Sequence, residues 1–126
     1  VLAGKRIAGQ FGANAVFAVA DARFLPFADN AFDIGFSYGV LQHLKKVNVR
    51  TSFDELARVT KDGGKIVVQM PNKYGIRSFY QQAKRGFSEE AQEGGEVFYW
   101  TPSELMNIFN EKFGKTEMSD DYYFGL

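Results

Sequence analysis

The chain has 126 residues and a mass of 14.2 kDa, about one domain, and its 45% hydrophobic and 24% charged residues exclude wholesale disorder. Fifteen Lys and Arg balance fifteen Asp and Glu, which removes the electrostatic case for nonspecific nucleic-acid binding. The absence of Cys excludes a disulfide scaffold, a cysteine nucleophile and a thiolate metal site, and fits a reducing compartment.

Residues 1–11 have a loose helical spacing, weakened by Gly4 and Gly9, and Gly12-Ala13-Asn14 reads as the helix stop. Ala15-Val-Phe-Ala-Val-Ala20 is continuously apolar between polar neighbours, the pattern of a parallel strand covered on both faces. It ends at Asp21, and a loop through Pro26, Asp29 and Asn30 follows. A second strand is expected at 33–38, then a short helical turn at 39–44. Residues 48–60 predict an amphipathic helix with Val49, Phe53, Leu56 and Thr60 on one stripe and Ser52/Glu55 as a capping box. The turn Lys61-Asp62-Gly63-Gly64 stops it, and a third strand runs from Lys65 to Met70. Residues 75–85 predict a helix with Ile76, Phe79, Tyr80 and Ala83 on one face, and 86–96 a loop with four glutamates. Thr101-Pro102-Ser103-Glu104 is a strong helix start, and the helix should stop at Gly114, with a last strand at 115–124. The order is a doubly wound α/β pattern.

No apolar run is long enough to span a membrane, and no signal peptide is visible, so a cytoplasmic location is expected. The chain starts without an initiator Met, which reads as an excised piece.

The chemistry concentrates in residues 21–43. An acidic residue at the carboxyl end of a buried parallel strand stands where open α/β sheets bind ligands. Asp21 fits that description, and its carboxylate with the following N–H can read an adenine edge; by itself, Asp21 also reads as a turn cap. The string Asp21-Ala-Arg-Phe-Leu-Pro-Phe-Ala-Asp-Asn-Ala-Phe-Asp33 resembles the D-A-x-x-L-P-F-x-D-x-x-F-D stretch of class I S-adenosylmethionine-dependent methyltransferases, in particular the broad small-molecule type 11-like group. Glu55-Leu-Ala-Arg-Val59 and Gly63-Gly-Lys-Ile-Val-Val68 match the next landmarks of that family. The resemblance covers residues 1–72 well and the remainder loosely.

It implies a Rossmann-like doubly wound sheet with S-adenosyl-L-methionine as cofactor. By the same resemblance Asp21 contacts the adenine amino group and Ala22 the ring through its backbone N–H. Ser37 and Tyr38 lie near the methionine part, Leu41 packs against the cofactor, and Gln42 and His43 face the acceptor. Pro26 and Asp33 are structural. His43, the single His, carries two readings of equal weight: a base for the acceptor, or a helix-start histidine bonded to a backbone carbonyl. Residues 73–100 correspond to an insertion that covers the acceptor, and 101–126 to a C-terminal helix and strand. Lys73, Tyr74, Arg77, Phe79, Tyr80, Lys84 and Arg85 would suit a polar-headed or anionic acceptor, although a helix with a solvated basic face is the commoner use of such a pattern. Tyr99-Trp100 reads as packing.

The Gly-x-Gly-x-Gly turn and the acidic strand end of the family lie in neither half of this sequence, so its first two strands are absent and the fold is incomplete. Those strands belong in the middle of the sheet, which leaves 15–20 and 33–38 separated by roughly 14 Å. Three outcomes follow: a collapsed sheet with 15–20 beside 33–38, a homo-oligomer or other pairing through unpaired strands, or a part of a larger fold. Cofactor affinity of the 126-residue chain alone is expected to be weak or absent. The function expected is methyl transfer to a small-molecule, glycan or lipid-type acceptor, with no nucleic-acid partner and no metal. A non-catalytic methyltransferase-like module is the alternative, and a nicotinamide-dependent oxidoreductase a third.

Overall fold

A computed structural model describes residues 2–84, 86–87 and 97–119. In chain order the elements are α1 (Leu2–Gln10), β1 (Phe32–Ser37), a 3-10 turn (Leu41–His43), α2 (Lys46–Val59), β2 (Thr60–Val68), α3 (Ile76–Lys84) and α4 (Pro102–Phe113). Helix α1 closes as expected: Gly12 takes φ 63°, and the Ala13 N–H reaches back to the Ala8 carbonyl at 2.9 Å.

The apolar run 15–20 does not become a strand. It joins no ladder, and Val16 and Val19 are 96% and 85% exposed. A strand is not a local property; it forms only where another strand offers its N–H and C=O groups. Here Phe17 folds back onto α1 instead, its ring so close that a Cβ on Gly4 would meet it at 2.8 Å. Among the described residues the sheet contains β1 and β2 alone, so it has not collapsed around 15–20.

Strands β1 and β2 are parallel, with Ile34 opposite Lys65 and Ser37 opposite Val68. Phe32 pairs with Thr60, so residues 61–64 stand out of the ladder; the expected turn is a bulge inside β2, with Gly63 at φ 75°. Gly35 and Ser37 face α2; a Cβ on Gly35 would lie 3.6 Å from Leu56, and this bare position lets the helix settle on the sheet. The opposite face of β1 presents Ile34 and Phe36, 63% and 67% exposed. Parallel sheets are ordinarily covered on both faces; this sheet is covered on one, and is incomplete in that sense.

Helix α2 starts earlier than its stripe suggested, and the expected Ser52/Glu55 capping box is absent. Lys45 occupies the N-cap without a side-chain bond, and Ser52 is buried mid-helix, donating to the Asn48 carbonyl at 3.0 Å. The stripe itself holds: Val49 and Phe53 are fully buried. They meet Leu105 and Ile108 of α4, with Leu41 and Trp100 completing the core. The Phe53 ring lies 4.9 Å from Phe109 and 5.9 Å from Phe113 in edge-on contacts. Trp100, 2% exposed, is a packing residue as expected, with the Lys46 ammonium 5.1 Å from its ring.

The α4 start follows the sequence closely. Thr101 Oγ1 accepts from the Glu104 N–H at 3.2 Å, and Glu104 Oε2 accepts from the Thr101 N–H at 2.9 Å, closing a capping box. Gly114 ends the helix at φ 76°. Of the last expected strand, 115–119 carry no strand and 120–124 lie outside the described residues; Arg85 and the glutamates at 89, 90, 93 and 96 also lie outside them. In α3, Ile76, Phe79 and Tyr80 are exposed, and the Phe79 ring on this face meets that of Phe87, centroids 5.7 Å apart. No described helix is long and apolar enough to cross a membrane.

Candidate functional site

The carboxyl ends of β1 and β2 define one end of the sheet. There the Gln69 N–H donates to the Ser37 carbonyl at 2.9 Å, and Gln69 Oε1 accepts from the Gly39 N–H at 3.2 Å. Gly39 takes φ 66°, a conformation that turns the chain sharply out of β1 toward the 3-10 turn. Ser37 is buried beneath this turn, whereas Tyr38 is exposed, with its ring stacked 6.3 Å from Phe36. Leu41 points into the core rather than lining the site. Gln42 and His43 follow on the 3-10 turn, with Gln42 Nε2 3.3 Å from His43 Nε2; the Gln42 carbonyl accepts from the Phe98 N–H at 2.8 Å.

The loop at 21–30 approaches from the other side. Ala22 is half-buried and packs against the core that includes Leu41, as Val68 and Met70 also do. The Phe24 N–H bonds to the Asp21 carbonyl at 2.9 Å and closes a tight turn. Among the described residues the Ala22 N–H has no hydrogen-bond partner, so it can donate to a ligand. Asp21 is engaged: Oδ1 accepts from the Arg23 backbone N–H at 2.9 Å, and Oδ2 accepts from Arg23 Nη2 at 2.6 Å. The Arg23 guanidinium and then its backbone N–H lower the Asp21 pKa from 3.8 to about 2. A carboxylate has about four lone-pair sites. Arg23 supplies three donors, with Nε shared between both oxygens, so little acceptor capacity remains for an adenine amino group.

Beyond Pro26 the loop is held by α2. Arg58 Nη1 donates to the Phe27 carbonyl at 2.8 Å and to Asp29 Oδ1 at 2.7 Å, while Nη2 donates to the Leu25 carbonyl at 2.9 Å. Glu55 pairs with Arg58 and also accepts from the Leu25 N–H at 2.7 Å. From the sequence, Arg58 stands out only as part of a family landmark, and Glu55 as that and as a capping-box partner of Ser52. The signal that could have exposed their role is an acid and a base one turn apart on a helix, in a chain whose exposed loop also carries an acid. Ser37 ends β1 with Tyr38 next to it, Gln42 and His43 stand on the 3-10 turn that follows, and Ala22 packs on the core. Asp21 is directed to Arg23.

Arg58 and the Leu25 N–H draw the Glu55 pKa down from 4.5 to about 2. A carboxylate with a folded pKa below its unfolded value stabilises the fold fully above the unfolded value and loses that contribution as pH falls. The urea midpoint is therefore expected to fall as pH drops from about 4.5 toward about 2. Glu55→Gln should flatten that profile, and an unchanged profile would refute the assignment.

A cavity of about 200 Å³ lies between α2 and α4, lined by Lys46, Arg50, Trp100 and Glu104 among others, and includes none of the expected site residues. Among the described residues no cluster of His, Asp or Glu could hold a metal ion.

A family model described as a methyltransferase domain matches residues 3–68, just over half of the chain. The demethylmenaquinone methyltransferase of Corynebacterium urealyticum is 52% identical over 50 residues, which are 39% of this chain and 20% of that protein. The enzyme of the same name from Renibacterium salmoninarum is 48% identical over 54 residues, 41% of this chain and 21% of its own. Among solved structures, the YcgJ protein of Bacillus subtilis superposes with a TM-score of 0.64 at 23% identity, covering 89% of this chain and 47% of that one. An S-adenosylmethionine-dependent methyltransferase from Thermotoga maritima gives a TM-score of 0.62 at 18% identity, covering 85% of this chain and 48% of its own. The match thus spans about a fifth of the curated relatives and about half of the solved structures. S-adenosylmethionine is the cofactor that this family implies, and the unpaired Ala22 N–H is a group that fits its adenine. The chain belongs to the methyltransferase domain family, of the class I S-adenosylmethionine-dependent type.

Proposed function

We propose that the protein carrying this chain transfers the methyl group of S-adenosylmethionine to a small, lipid-type acceptor, in the cytoplasm and with no nucleic-acid partner. The observation that supports this best is the Ala22 N–H, which has no hydrogen-bond partner among the described residues and lies within the stretch that matches the family. Bound there, the cofactor supplies a methyl group on a positively charged sulfur. Ala22 receives the adenine ring through its N–H, and Asp21 its amino group through the acceptor capacity that Arg23 leaves. Ser37 and Tyr38 hold the methionine end, and Gln42 and His43 face the acceptor. The rate comes mainly from alignment, because the sulfur is already a good leaving group. His43 serves as the base that takes the proton from an acceptor hydroxyl or amine.

A lipid-type acceptor, rather than a glycan, is supported by the exposed apolar side chains Ile76, Phe79 and Tyr80 of α3 and by the name of the two bacterial relatives. For macromolecular partners, the open edge of β1 supports self-association through strands.

The test is label transfer from S-adenosylmethionine carrying a tritiated methyl to demethylmenaquinone in detergent micelles. Label in the quinone is the expected result. Label appearing only in a glycan acceptor would move the acceptor class, and absence of cofactor binding would leave a non-catalytic methyltransferase-like module. His43→Ala is expected to lower turnover by about 100-fold, the low end for general base catalysis, with cofactor affinity nearly unchanged. Unaltered turnover would remove His43 from the mechanism.

A further inference from the structure

We propose that Glu55 and Arg58 form a positioning clamp, which fixes the loop at 21–30 in the shape that presents the Ala22 N–H to the cofactor. The proposal rests on the adenine assignment made above, and extends it to residues that touch no ligand.

The loop has little else to order it. Residues 26–31 are all exposed, Pro26 offers no N–H, and Asn30 sits at φ 55°. An apolar contact holds one point, the edge-on pair Phe27–Phe32 with ring centroids 5.0 Å apart. Within the loop the Phe27 N–H bonds to the Leu25 carbonyl at 2.8 Å, and among the described residues every polar contact of 25–30 with another element comes from one turn of α2. Leu25 is gripped at both ends, its N–H by Glu55 at 2.7 Å and its carbonyl by Arg58 at 2.9 Å. Arg58 takes the Phe27 carbonyl and the Asp29 carboxylate, and its own carbonyl accepts from the Asn30 N–H at 2.9 Å. Glu55 in turn accepts from Arg58 Nε and Nη2, both at 2.8 Å, so the guanidinium is fixed before it meets the loop.

Isolated surface ion pairs contribute little, because each must immobilise two side chains for one contact. Here a single guanidinium, oriented by its neighbour one turn earlier, serves four acceptors with a planar fork. A lysine at 58 would keep the charge and lose the fork. The clamp reaches Ala22 through a short path. Leu25 adjoins Phe24, and the Phe24 N–H closes the turn on the Asp21 carbonyl, with Ala22 inside it. Release of Leu25 therefore frees the turn that aims the donor.

The experiment uses the 15N-labelled chain, with Arg58→Ala and Arg58→Lys as variants. Amide relaxation reports the order of residues 21–30, and titration with S-adenosylhomocysteine to millimolar concentration reports binding through the Ala22 amide. In the wild type the loop should be as rigid as α2, with order parameters near about 0.85. In R58A they should fall below about 0.6 for residues 21–30, while β1, α2 and α4 keep their shifts. Affinity should weaken about ten-fold at a temperature where the variant is fully folded, the loss expected when one charge-assisted anchor is removed. R58K should resemble R58A, and carries the comparison if R58A fails to fold. Preserved loop order in R58A, or full restoration by R58K, would overturn the clamp. Shifts at other amides with none at Ala22 in the wild type would instead sink the adenine assignment, and the relaxation data by themselves decide whether the clamp orders the loop.

Discussion

Phe53→Ala is expected to lower stability by about 3–5 kcal/mol, the range for removing a buried aromatic side chain. Phe53 is fully buried, and its ring is the contact between α2 and the Phe109 and Phe113 rings of α4. Neither helix can close over the space, since Val49 and Leu105 are already packed in the same core. Whole-domain stability is commonly about 5–15 kcal/mol, so the loss takes a large share of it. Urea unfolding followed by far-ultraviolet circular dichroism measures the effect, with Phe53→Leu as the milder comparison. A loss below about 1 kcal/mol, typical of an unremarkable substitution, would mean that the α2–α4 contact is not the core.

Gly64→Ala is expected to cost about 1–3 kcal/mol by overpacking. A Cβ at this position would lie 2.7 Å from Thr60 Cγ2, 2.8 Å from the Lys61 carbonyl oxygen and 2.9 Å from that of Asp33. Two of those atoms are backbone, so relief requires bending β1 or the bulge in β2. Gly63 differs: it has open space around it but sits at φ 75°. Gly63→Ala should therefore cost about 1 kcal/mol, through backbone conformation alone. The two variants separate steric closeness from dihedral strain within one Gly-Gly pair. Equal costs, measured by the same urea method, would contradict this division. Shifts of the Phe32–Ser37 amides should follow Gly64→Ala and not Gly63→Ala.

What could be read from residue order was local. Thr101, Pro102 and Glu104 carry their own hydrogen-bond partners within four residues, and the helix they start appears where expected. The stripe of Val49 and Phe53 likewise needs only the helical period. The same local logic misled at Ser52 and Glu55, whose spacing fits a capping box. Ser52 is already inside the helix, and Glu55 is drawn to Leu25, thirty residues away. The run 15–20 has the composition of a strand but no ladder to join, and composition cannot supply a partner. The place of Ser37 and Tyr38 at a strand end, with Gln42 and His43 on the turn after it, was legible from the strand pattern. The pairing of Asp21 was not, because it depends on the orientation that Arg23 takes.

The bare hexapeptide Ala15–Ala20 has a consequence for handling the chain. It holds no charge, no proline and no glycine, and two of its valines stand almost fully in water. Six-residue segments of this kind stack readily into cross-β fibrils, and natural proteins normally flank them with gatekeeping charges. Asp21 is the nearest acid, and its charge is largely neutralised by Arg23. At high protein concentration these six residues are therefore expected to limit solubility despite the balanced charge of the whole chain.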